Sequence, residues 1–129
     1  RDEYEKLLNS KMLLNLPKEK NDLWTTQAKA LLKGLEKNIN LNTINFVFPN
    51  KEIPDQILKF ITILRDLEKG SKFILNPEID ILEKDANIII LTYPGVITSD
   101  SLNFKIQELN MSITNVIGWI YFADENFKL

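Results

Sequence analysis

The 129-residue chain contains neither cysteine nor histidine. Without cysteine there are no disulfides, no thiol nucleophile and no thiolate metal site. Without histidine the commonest general base and the commonest metal ligand are missing. Glycine is scarce, at four residues. No apolar run approaches the roughly 20 residues that span a bilayer as a helix. Charge of one sign is not in excess either: the net charge is −2 and the pI about 5.2. That leaves no electrostatic case for binding nucleic acid. Arg1 stands where an initiating methionine would, so the chain is expected to be a piece of a longer protein or a processed product.

What is present is a packed domain's worth of apolar residues, 44% of the chain, enough for one core at this length. The strongest pattern is at the C-terminal end. Ile88-Ile89-Ile90-Leu91 is a β-branched and apolar run of the kind that forms a strand buried on both faces. Pro94-Gly95 breaks it. Thr98 and Ser99 suit the cap of a helix with an apolar face at Leu102, Ile106 and Leu109. A second apolar run, Val116–Phe122, closes a strand–helix–strand unit, which demands a parallel pairing.

The rest repeats this alternation. Tyr4, Leu7 and Leu8 suit one face of a short helix, and Met12–Leu16 reads either as its continuation or as an extended segment ending at Pro17. PKEKND, from Pro17 to Asp22, is a polar loop. Trp24, Ala28, Leu31, Leu32 and Leu35 fall at helical spacing and predict a helix over Thr25–Lys37, capped by Asp22 or Thr25. Ile44–Phe48 predicts a strand. Pro54 suits the first turn of the next helix, whose buried stripe is Ile57, Phe60, Ile61, Leu64 and Leu67. Glu68-Lys69-Gly70 ends it, and Lys72–Asn76 is a short strand closed by Pro77. Glu78–Ala86 is a short acidic link with room for one helical turn. The expectation is an entry segment over residues 1–22 and a single α/β domain over 23–129. The domain is predicted as three-layer α/β/α, with a mostly parallel sheet of about four strands.

Ligands of parallel α/β sheets bind at the carboxyl ends of the strands. The predicted sheet has four such ends. Pro49–Pro54 follows the first strand and contains no glycine, which a phosphate-cradling loop needs. Lys51 is its one phosphate-seeking residue, and a solvated surface lysine is the plainer reading. Asn76–Asp80 offers Glu78 and Asp80 to a cation, yet two loop acids without further ligands read as solvated. Thr92–Gly95 leads to the helix start at Thr98–Ser101, where Asp100 suits the helix dipole and the serines have no histidine to activate them. Phe122–Glu125 is an acidic exit. Trp24 reads as a hydrophobic staple, with an exposed partner contact as the alternative, and Trp119 as a half-buried strand residue. The residues thus name no catalytic group, cofactor or metal. Lys51 and Glu78 are the weak candidates for a nucleotide site.

The order of segments resembles the cytoplasmic domain of bacterial polysaccharide co-polymerases and their tyrosine autokinases, the chain-length regulators of capsule and exopolysaccharide export. KLLNSKMLLNLP (Lys6–Pro17) resembles the segment that follows that family's last transmembrane helix. WTTQAKALLKGL (Trp24–Leu35) resembles the helix before its first strand. Ile44–Leu67 takes the place of the first strand, Walker A loop and following helix. Ala86–Phe122 resembles its last strand–helix–strand unit. The resemblance implies a reduced P-loop NTPase-like or Rossmann-like fold. The departures imply loss of chemistry. Pro49–Pro54 lacks the Walker A glycines, Asn76 stands at the strand-end acid, and Gln27 and Lys29 replace the acidic and arginine positions of the helix. The Walker B region is shortened to Glu78–Asp85, and no tyrosine cluster follows Phe122. The expectation is a non-catalytic module without cofactor, on the cytoplasmic side of the inner membrane. It would contact a protein partner or itself, and would meet the membrane only through segments outside this chain. The alternatives are an NTPase or tyrosine kinase with an unconventional site, and a stand-alone α/β interaction domain.

Overall fold

A computed structural model describes residues 12–37, 42–48, 52–77, 87–92 and 115–123. Its elements are β1 (Met12–Pro17), α1 (Asp22–Glu36), β2 (Thr43–Phe48), α2 (Asp55–Leu67), β3 (Lys72–Pro77), β4 (Asn87–Thr92) and β5 (Asn115–Ala123). The five strands form one sheet in the order β1-β5-β4-β2-β3. All four pairings are parallel. The fold is α/β, with one strand more than the four expected. The additional strand is Met12–Pro17, inside the predicted entry segment. Its ambiguity is resolved by β5, whose free edge supplies the partner that a local reading cannot see.

Alternation divides the sheet into two faces. The first carries Leu14, Leu16, Ile44, Phe46, Phe48, Phe73, Ile89, Leu91, Ile120 and Phe122. These pack in one cluster with Trp24, Ala28, Leu31, Leu32 and Leu35 of α1 and with Ile57, Phe60, Ile61 and Leu64 of α2. Both helices therefore lie on this face, and both present the apolar stripe that their periodicity predicts. Leu67, at the end of the second stripe, is half-buried. The second face holds Val47, Ile88, Ile90, Trp119 and Tyr121, all buried. A strand buried on both sides explains the unbroken Ile-Ile-Ile-Leu run of β4. The helix predicted from Thr98 and the acidic link Glu78–Ala86 lie outside the described residues, as does the turn at Pro94-Gly95.

Two register shifts shape the β1 side. One falls between Met12 and Leu14, the other opposite the step from Ile88 to Ile89, where β5 passes from Val116 to Gly118. Each inserts one residue into its strand. The inserted residues, Leu13 and Ile117, both pack against the first-face cluster.

Helix α1 begins at Asp22, three residues before its predicted start, and its cap is Asn21 in place of Asp22 or Thr25. Asn21 is extended (φ −149°, ψ −175°) and its Oδ1 accepts from the Leu23 N–H at 2.9 Å. The early start brings Trp24 into the first turn. There it is fully buried, which excludes the exposed contact, and as the third residue after the Asn21 cap it occupies neither position of a staple. Its Nε1 donates to the Pro17 carbonyl at 2.8 Å. Its ring meets Phe60 edge-on (5.9 Å, 82°) and Phe122 likewise (5.5 Å, 67°). Phe60 and Phe122 complete the triangle at 5.5 Å and 79°. Such edge-to-face pairs add about 0.5–1.5 kcal/mol each beyond area burial. Helix α2 is capped by Pro54 (φ −63°, ψ 150°) without a side-chain hydrogen bond. Its last turn carries Arg65, whose Nε and Nη2 donate to the Phe73 carbonyl at 3.2 and 2.8 Å.

Two substitutions separate these contributions. Trp24→Phe keeps an aromatic ring but leaves the Pro17 carbonyl without its donor, and should cost about 1–3 kcal/mol in urea unfolding. Asn21→Ala removes only the cap and should cost about 1 kcal/mol.

Candidate functional site

In an open parallel sheet the binding crevice lies where the direction of winding reverses, beyond the carboxyl ends of the strands. From β2 the chain moves through α2 to β3, toward one edge. From β4 it moves to β5, toward the other. The reversal therefore lies between β2 and β4, at the ends marked by Phe48 and Thr92. Lys51 and Glu78, the weak candidates for a nucleotide site, lie outside the described residues, as do Pro49-Asn50, Thr98–Ser101 and Asp124-Glu125. Asn76 and Pro77 fall within β3, which extends one residue past its expected end.

The described wall of the crevice is the start of α2. A helix N-terminus attracts anions through its free N–H groups and the positive end of its dipole. Here that end is already answered by acid. Asp55 occupies the first turn, and exposed Glu52 precedes it in the approach. The residue before the helix is Pro54, which has no N–H to offer. Its carbonyl accepts from Ile57 N at 3.0 Å and Leu58 N at 3.3 Å. A third carboxylate arrives from the β1–α1 loop. The Gln56 side chain donates from Nε2 to Glu19 Oε2 at 2.9 Å and accepts from Lys20 N at 3.3 Å through Oε1. This fastens the loop after β1 across the first turn of α2. The hollow beside this turn is lined by Lys20 and Lys59 as well as by Asp55 and Asp66. Among the described residues the start of α2 therefore offers a phosphate no surplus of positive charge.

The opposite wall is the end of β4. Thr92 is 1% exposed, yet its Oγ1 has no hydrogen-bond partner among the described residues, and neither has Nε1 of Trp119. Register places Trp119 beside Ile90 and Tyr121 beside Thr92, so both orphaned groups share the second face. Trp119 is thus fully buried, not half-buried as its alternation with Ile120 predicts. That periodicity shows which way a side chain points, and says nothing of whether the second face is itself covered.

Sequence reasoning did not anticipate an open trough between β1 and α1. It is lined by Leu13, Leu14, Ala30, Leu31, Gly34 and Ile117, among others, and has a volume of about 460 Å³. The two inserted residues form one wall. The other is lowered by Gly34, where an added Cβ would meet nothing within 4 Å. The isolated glycine in a helical pattern was the one available signal. The Gln56 bridge had none, because it joins residues 37 apart in the chain.

Among the described residues no group of three or more acidic side chains is placed to hold a metal ion, and no helix is long and apolar enough to cross a membrane. No protein family, curated protein or solved structure matches this chain.

The orphaned hydroxyl is open to a direct check. Thr92→Val replaces Oγ1 with a methyl group of similar shape. Because the buried hydroxyl has no partner among the described residues, the substitution should leave stability unchanged or raise it by about 1 kcal/mol. A loss of more than about 1 kcal/mol in urea unfolding would show that the hydroxyl is held.

Proposed function

We propose that this chain is a non-catalytic structural or regulatory module that acts through protein–protein contacts. The observation that carries this reading is the start of α2. A nucleotide-binding domain of this topology presents glycine amides and a lysine to phosphate at that place. This chain presents a proline cap and carboxylates at Glu19, Glu52 and Asp55. The absence of histidine and cysteine from the sequence points the same way. The trough beside β1 supports a contact role, since it combines an apolar floor with an open mouth.

The order of segments supports a more specific form of the proposal. The module would belong to a protein resembling exopolysaccharide or capsule chain-length regulators. It would sit on the cytoplasmic side of the inner membrane and dock with itself or with the export machinery. The stand-alone interaction domain differs from this only in lacking a membrane-bound neighbour. An NTPase or tyrosine kinase with an unconventional site at Lys51 and Glu78 is the competing chemistry.

Thermal unfolding with millimolar ATP and Mg²⁺ distinguishes the contact readings from the enzymatic one. A ligand that binds only the folded state at 100 times its Kd adds about 2.7 kcal/mol of stability, which is a shift of several degrees in a domain of this size. The expected shift is below about 1 °C. A rise of several degrees, abolished by Lys51→Ala, would overturn the non-catalytic reading.

A further inference from the structure

The two outer strands of the sheet are β1 and β3. Outer strands expose main-chain groups to any other strand that can reach them, and proteins must suppress that pairing. In a parallel ladder, successive residues of a strand turn their N–H and C=O alternately toward the neighbour and away from it. Lys72 N donates to Asn42 O at 2.7 Å, so Lys72, Ile74 and Asn76 face β2, and Phe73, Leu75 and Pro77 face outward. The two Arg65 bonds fall on Phe73 O, an outward carbonyl. Pro77, at the last outward position, has no N–H to donate.

The β1 edge has the same arrangement. Lys18 N donates to Ala123 O at 3.0 Å, which turns Pro17 outward. Pro17 has no N–H, and its carbonyl is taken by Trp24 Nε1. Each edge strand thus ends in an outward proline, and in each a side chain of a flanking helix occupies an outward carbonyl. The two caps differ in one respect. Trp24 is a core residue, whereas Arg65 is an exposed side chain whose guanidinium spans the edge.

We propose that Arg65 is a guard on the β3 edge, and that it prevents this strand from pairing with β3 of a second copy. The segment behind it is prone to such pairing. Phe73-Ile74-Leu75 is apolar, uncharged and rich in strand-forming residues, and Ile74 and Leu75 are half-buried only. Two identical edges set antiparallel are self-complementary by symmetry. Arg65 opposes this in two ways. It consumes a carbonyl that the incoming strand would need, and it would bring a like charge from each copy to the new seam. The proposal is independent of the proposed function. It concerns which edge stays closed, not what the domain contacts in use.

The test compares wild type with Arg65→Met, which keeps most of the apolar stem, and Arg65→Lys, which keeps the charge with one donor group. Mass is read by light scattering over a hundredfold concentration range, and amide exchange locates any new protection. Arg65→Met is expected to gain mass with concentration at least twofold over wild type, with new protection at the Phe73 and Leu75 amides. Arg65→Lys is expected to fall between the two. Arg65→Met holding the wild-type mass throughout would overturn the proposal. So would a gain in mass without protection in β3. Loss of folded circular dichroism in Arg65→Met would overturn it as well, by making Arg65 a group the fold itself requires.

Discussion

Trp24 is the residue on which the first layer of this domain depends. Its ring packs on Phe60 of α2 and Phe122 of β5, and its indole N–H closes on the carbonyl of Pro17 at the end of β1. One side chain therefore joins both described helices to an outer strand and to the strand beside it. The buried Trp24 indole has its single donor satisfied by Pro17, whereas the buried Trp119 indole has no partner among the described residues. The Trp24 bond sets the position of α1 relative to β1. The position in turn demands the early helix start and the Asn21 cap, because a helix beginning at Thr25 would leave Trp24 in the loop.

The same geometry bears on function. With α1 drawn onto β1, the loop between them lies across the start of α2, where Gln56 ties it down. Glu19 is thereby brought to the first turn of α2, which also carries Asp55. The inserted residues Leu13 and Ile117 turn the β1 side of the same face into an open apolar trough.

Much of the architecture was legible in the sequence. The stripes of both helices and the cores of β2 to β5 follow from periodicity, because burial on one face of a helix or both faces of a strand imposes a pattern on neighbours in the chain. What was not legible depends on distant partners. Met12–Pro17 has a pattern compatible with helix or strand, and only the edge of β5 decides between them. Trp119 has the alternation of a one-sided strand, and only the cover on the second face buries it. The glycine-free loop Pro49–Pro54 was legible as a departure from phosphate binding, whereas Glu19 became part of that place only through Gln56.

The sequence by itself determined the class of the fold, the apolar faces of its helices and the removal of thiol, imidazole and glycine-loop chemistry. Each of these is a property of residue type or of spacing over a few positions. Only the tertiary structure decided the fifth strand, the strand order, the reversal between β2 and β4, and the capping of one outward carbonyl on each edge strand by Trp24 and Arg65. The reason is that hydrogen bonds between strands and side-chain bonds to outward carbonyls carry no local signature. They exist once segments far apart in the chain lie side by side.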